Sequence, residues 1–191
     1  NDQKGPRNPG PAIYTYDDKG RLISCEHPIS ESNKKGIKAT YVYDEQGRVK
    51  EINANTGIMP RQFEYNDKGQ IVTQTTLFSA APGGTPKPYN IATFEYDAKG
   101  APVKVINKNT KGKVLVTWEL KYEDKKNPFV GAGFGNIDEL FIGYPVGNYK
   151  FFAVEKKMIG KGMKPSQLTY TYNEWGYPVT MTDASKGEHG I

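Results

Sequence analysis

Five segments of this 191-residue chain carry one pattern: an aromatic residue, any residue, Tyr, then Asp or Asn, two mostly polar residues, and Gly before the next strand. They are Tyr14–Gly20, Tyr41–Gly47, Phe63–Gly69, Phe94–Gly100 and Tyr170–Gly176, and a sixth copy, Leu120–Lys126, has lost the Gly. Repetition of this kind limits the fold more than any other feature of the chain. Asp or Asn opens a turn because its side chain can accept bonds from backbone amides two residues on. Gly closes it because a type I turn in a hairpin ends on a left-handed residue, usually within a bulge. Each copy is therefore read as a hairpin turn joining an incoming strand to an outgoing one.

Period-two alternation puts Tyr14 with Tyr16, Tyr41 with Tyr43, Phe63 with Tyr65, Phe94 with Tyr96, Leu120 with Tyr122 and Tyr170 with Tyr172. The opposite face carries residues such as Thr15, Val42, Glu64, Glu95, Lys121 and Thr171. One aromatic and one largely polar face fit an antiparallel sheet with a core on one side and water on the other. In the outgoing strands, apolar residues tend to fall two, three and five places after the Gly, the broken alternation expected beside a bulge. Pro102 and Pro178 stand at strand starts, where proline is tolerated. Further strands are expected over Lys113–Tyr122 and Tyr149–Lys156, for about 11–12 strands in an all-β, antiparallel up-and-down meander. An up-and-down barrel is the simplest way to remove its edges, and a curved open sheet or flattened barrel is the alternative.

Asn127–Asn148 interrupts the repeat. Asn136 could cap one or two helical turns running through Phe141. An apolar insertion of this length reads as cover for one end of the core, with a ligand gate as the alternative. Residues 1–10 (Asn1-Asp2-Gln3-Lys4-Gly5-Pro6-Arg7-Asn8-Pro9-Gly10) read as a flexible tether on a processed product or a trimmed chain. Residues 11–183 then form one hairpin-repeat domain and 184–191 a C-terminal tail. The stretch from Ser79 to Tyr89, with three prolines and two glycines, reads as a long loop.

Composition narrows the function classes. The charge of +5 is spread through every turn with no run of five or six basic residues, which argues against a nucleic-acid partner. A single cysteine excludes a disulfide framework and a Cys-rich metal site. Cys25 lies in a mostly apolar run and reads as a small buried hydrophobe. No phosphate-binding Gly loop or His-based metal pair is present. With only His27 and His189 in the chain, a Ser-His-Asp set has no supporting motif. Asp138 and Glu139 are adjacent acids expected to face solvent. The chain is thus read as non-catalytic, with no metal and no cofactor.

Binding is the more natural role for so aromatic a chain, since Trp and Tyr in a concave surface stack on sugar rings or bases; a structural or adhesive envelope scaffold is the alternative, and an enzyme acting on carbohydrate comes third. The candidate ligand-binding residues are Trp175, Tyr177, Trp118, Tyr144 and Tyr149. Trp175 occupies a turn position where other copies carry Lys or Gln. Either it folds back over the barrel mouth or it is presented to a ligand. Trp118 alternates with Val114 and Val116, which favours the core.

The Tyr-Asp-x-x-Gly pattern resembles the YD repeats of Rhs-type bacterial surface and toxin proteins. A closer resemblance is to uncharacterised lipoprotein-like proteins of Bacteroides and relatives, through Asn127-Pro128-Phe129 and Tyr170-Thr171-Tyr172-Asn173-Glu174-Trp175-Gly176-Tyr177-Pro178. That resemblance, over about residues 11–183, implies a porin-like barrel, export, and a lipid anchor upstream of residue 1. It supplies no catalytic residue. A membrane barrel needs strands of about 9–11 residues with a lipid-facing apolar side. The aromatic-Tyr strands read as shorter, with charges on the face opposite their aromatics, so an integral pore is not expected. The partner expected instead is a glycan or a cell-surface protein, met in the periplasm or at the cell surface.

Overall fold

The computed structural model describes residues 13–27, 36–54, 59–80, 84–122, 153–159, 166–183 and 187–190. Among these, every regular element is a strand. No helix is long and apolar enough to cross a membrane. The chain divides into two compact units, residues 1–89 and 90–191.

The first unit holds β1 (Ile13–Tyr16), β2 (Leu22–His27), β3 (Ile37–Tyr43), β4 (Val49–Ala54), β5 (Arg61–Tyr65) and β6 (Ile71–Phe78). Each pairs antiparallel with the next. The second holds most of β7 (Lys87–Tyr96), then β8 (Pro102–Asn109), β9 (Val114–Tyr122), β10 (Ala153–Ile159), β11 (Ser166–Tyr172), β12 (Pro178–Asp183) and β13 (Gly187–Gly190). These also pair in consecutive order. The expected all-β antiparallel meander is present. Among the described residues no pairing closes either unit into a barrel of its own.

Thirteen strands appear among the described residues, more than the sequence pattern implies. One source is β13, which forms within residues 184–191 and pairs with β12 through Thr180↔Gly190 to Asp183↔Gly187. Strand β7 begins at Lys87, inside the stretch read as loop. The helical turns expected at Asn136–Phe141 lie outside the described residues, as does the rest of 127–148.

Six turns share one geometry. In the first, the Asp17 amide donates to the Arg21 carbonyl at 2.9 Å, and the Gly20 amide donates to the Asp17 carbonyl at 3.0 Å. Asp17 Oδ1 accepts from the amides of Lys19 at 3.0 Å and Arg21 at 2.8 Å. The same backbone pattern recurs at Asp44, Asn66, Asp97, Asn109 and Asn173. The Asn109 turn has no aromatic-x-Tyr strand before it. Among the described residues the turn thus belongs to the Asx-x-x-Gly segment and does not need the preceding aromatic-x-Tyr strand.

The left-handed Gly places a bulge at a fixed point. In every aromatic hairpin the register slips just before the second Tyr, which then pairs with the residue two after the Gly: Tyr16↔Leu22, Tyr43↔Val49, Tyr65↔Ile71, Tyr96↔Pro102 and Tyr172↔Pro178. The slip explains the broken alternation. Positions two and five after the Gly turn inward, giving buried Leu22 with Cys25, Val49 with Ile52 and Pro102 with Val105. Position three turns outward, and Ile23 is exposed. The core of the first unit is completed by Ala39, Tyr41 and Phe63, with Arg61 and Gln74 on the same inward face. In the second unit it is formed by Ala92, Phe94, Ala101, Pro102, Val105 and Leu120. Cys25 lies opposite Ala39, and burial pushes its thiol pKa up, opposed by a hydrogen bond from Tyr14.

Adjacent hairpins are joined by a side-chain ladder. Arg21 bonds Asp17 Oδ2 within its own turn at 2.7 Å and lies over the Tyr43 ring of the next hairpin, 4.5 Å from its centroid. Tyr43 Oη in turn donates to the Leu22 carbonyl at 2.8 Å. One hairpin on, Arg48 repeats this with Asp44 at 2.7 Å and with the Tyr65 ring at 4.5 Å, while Tyr65 Oη donates to the Val49 carbonyl at 2.7 Å. The third hairpin keeps the intra-turn link without charge, Asn66 Nδ2 donating to Gln70 Oε1 at 2.9 Å.

These bonds make the turns acid-sensitive. At Asp17 the Arg21 amide is the largest influence and holds the carboxyl below its ordinary value. At Asp44 desolvation acts most strongly and would raise the pKa, but it is outweighed by the Arg48 amide and guanidinium and the Gln46 amide, so the net shift is also downward. A carboxyl whose pKa is lower in the folded chain contributes stability above its ordinary value of 3.8, and that contribution disappears as pH falls through the folded value. Urea midpoints measured from about pH 5 to about pH 2 are expected to fall. The fall is expected to be shallower in Asp17→Asn/Asp44→Asn, because Asn66 shows that asparagine makes the same turn without a titrating group.

Candidate functional site

The turn between β11 and β12 carries the most exposed large apolar side chain among the described residues. Asn173 Oδ1 accepts from the Trp175 amide at 3.1 Å and the Tyr177 amide at 2.9 Å. The Asn173 amide donates to the Tyr177 carbonyl at 2.9 Å, and Gly176 sits at φ 80°. Both aromatic residues are thus anchored to Asn173 through their backbone amides. Trp175 is 68% exposed, so it does not fold back over a core. Tyr177 and Val179 beside it are also exposed. On the same hairpin, the Thr171 and Thr180 hydroxyls meet at 2.7 Å on an exposed part of the surface.

The equivalent position of the other aromatic turns holds Lys19, Gln46, Lys68 and Lys99, all exposed. Turn geometry is the same with lysine, glutamine or tryptophan there. The geometry of this turn therefore does not require the indole.

Of the five sequence candidates, the structure brings together Trp175 and Tyr177. Trp118 lies elsewhere, on β9, with β10 between it and this hairpin. It pairs with Val105 on β8 and Met158 on β10, and it shares its strand face with buried Leu120. It is partly buried, on the core side of the sheet. Tyr144 and Tyr149 lie outside the described residues, as do Asp138 and Glu139. Among the described residues no group of three or more His, Cys, Asp or Glu is placed to hold a metal ion.

A second exposed aromatic pair was not singled out from the sequence. Phe78 ends β6 and Tyr89 lies near the start of β7, and their rings are 5.6 Å apart, tilted by 50°. Both are exposed. The available signal was an aromatic residue at each end of a Pro/Gly-rich connection; reading the whole stretch as loop concealed that its ends are paired strands.

The chain is thus a meander of Asx-turn hairpins that presents aromatic side chains from a rigid turn. No family model matches it, and no curated protein matches it. Similar solved structures include a porin-like protein from Bacteroides uniformis, 15% identical with a TM-score of 0.46, the match covering 89% of this chain and 80% of that one. Another is TcdB2-TccC3, 15% identical with a TM-score of 0.44, covering 93% of this chain and 11% of that one. The chain thus spans about a tenth of that second protein's length.

Proposed function

We propose that this chain is a non-catalytic, envelope-associated binding protein whose contact surface is the Trp175–Tyr177 turn and whose ligand is a glycan or a cell-surface partner. The supporting observation is the 68% exposure of Trp175 on a turn that folds equally well with lysine or glutamine in its place. An indole held this way offers a flat apolar face for a pyranose ring, with a tyrosine two residues on to extend it. The YD-type repeat and the Asn-Pro-Phe and Tyr-Pro motifs resemble exported Bacteroides lipoprotein-like proteins, which supports placement in the periplasm or at the cell surface through an upstream lipid anchor.

Thermal shifts of the purified chain against a panel of host and dietary glycans test the reading. A ligand that binds only the folded chain adds about 2.7 kcal/mol of stability at a hundredfold excess over its dissociation constant. Trp175→Lys is expected to remove the shift while leaving the unliganded melting temperature within a degree or two, about 0.5 kcal/mol. A shift that survives this substitution moves the site elsewhere. No shift across the panel sinks the glycan reading and leaves a protein partner.

A further inference from the structure

The ladder between hairpins has a donor side and an acceptor side. The donor side is the outgoing strand after the Gly, with its Arg and the carbonyl of the next residue. The acceptor side is the second Tyr of the following incoming strand. Tyr43 is held by Arg21 and the Leu22 carbonyl, and Tyr65 by Arg48 and the Val49 carbonyl. Tyr16 is the same residue of the same motif, yet among the described residues no strand lies on the far side of β1. Tyr16 is 52% exposed, whereas Tyr43 and Tyr65 are partly buried. Tyr14 is only partly buried where its counterparts Tyr41, Phe63 and Phe94 are buried, and Ile13 is exposed.

We propose that the open side of β1 is an acceptor site for a β-hairpin of the same chemistry, supplied by a partner polypeptide. That hairpin would place the Arg after its turn Gly over the Tyr16 ring and accept from Tyr16 Oη with the carbonyl that follows. The argument is continuity. The β2–β3 and β4–β5 contacts are one interface used twice within the chain, and β1 presents its acceptor half again. Exposed edges are commonly guarded by Lys, Pro or inward charges, and Ile13-Tyr14-Thr15-Tyr16 has none. A four-residue strand offers few backbone bonds, so selectivity must come from the side-chain half-site rather than from strand addition alone.

The probe is a backbone-cyclised peptide of the Tyr14–His27 sequence, with Cys25→Ala to avoid disulfides, added to the full chain. The expected result is saturable binding, antiparallel to β1, with Tyr16 protected from nitration as mapped by mass spectrometry. Arg21→Ala in the peptide should weaken binding about tenfold, and Tyr16→Ala in the chain should abolish it. A second chain, with residues 14–40 duplicated ahead of Tyr14, supplies the same hairpin in cis. Protection in cis without binding in trans overturns a separate partner as the source. No protection in either arrangement overturns the site, as does Tyr16 being already resistant to nitration in the unmodified chain.

Discussion

Alanine at Ile52 lowers the stability of the chain by about 2–5 kcal/mol, while alanine at Ile23 changes it by about 0.5 kcal/mol or less. Both residues lie on outgoing strands, five and three places after their turn glycines. Ile52 is 1% exposed and lies between Tyr41 on β3 and Arg61 on β5, themselves buried. Removing its branched side chain loses its transfer free energy and leaves a cavity that the paired backbones on both sides cannot collapse to fill. Ile23 sits on the outward side of the bulge at 37% exposure, where truncation leaves no cavity. Urea denaturation of the two variants measures the difference. Equal losses would mean that the bulge does not set the inward face, and the register built on it would be wrong.

Gly69→Ala is expected to cost about 1–2 kcal/mol, although an added methyl group touches nothing. Gly69 sits at φ 75°, and a Cβ built there has no heavy atom within 4 Å. The cost therefore arises in the backbone, because a left-handed conformation crowds Cβ against the peptide of an L-residue. Valine should cost more, since branching at Cβ is least tolerated at positive φ. Asparagine should recover much of the loss, because it enters this region more readily. The order Gly, Asn, Ala, Val in denaturant midpoint is the expected outcome. An Ala variant as stable as the parent would mean that the turn can close without a left-handed residue, and the account of all six turns would fail with it.

The turns were legible in the sequence because their causes are local. An Asx side chain reaches amides two and four residues on, and the left-handed Gly is set by its own backbone. Tyr16, Tyr43, Tyr65, Tyr96 and Tyr172 all meet the residue two after the Gly, as that local geometry requires. The Asn109 turn escaped a search keyed to Tyr, because tyrosine forms no part of the turn itself. Strand β13 escaped because Gly-Glu-His-Gly has no alternation, and pairing with β12 creates it.

The candidate site was half legible. Trp175 stood out because every related turn supplies a polar residue to compare it with. Trp118 offered only its alternation with Val114 and Val116, which pointed to the core, and its pairing with buried Val105 fits that placement. Phe78 and Tyr89 became a pair only when their strand ends were brought within contact.

The sequence by itself determined where the aromatic-motif hairpins turn and that each turn joins an incoming to an outgoing antiparallel strand, because those outcomes depend on interactions within about five residues. Tertiary structure alone decided which arginine covers which tyrosine, that Arg61 and Gln74 are buried, and that Tyr16 is left open to solvent. Those outcomes depend on the neighbouring strand, reached across 21 residues from Tyr43 to Leu22 and 16 from Tyr65 to Val49, distances over which no local preference acts.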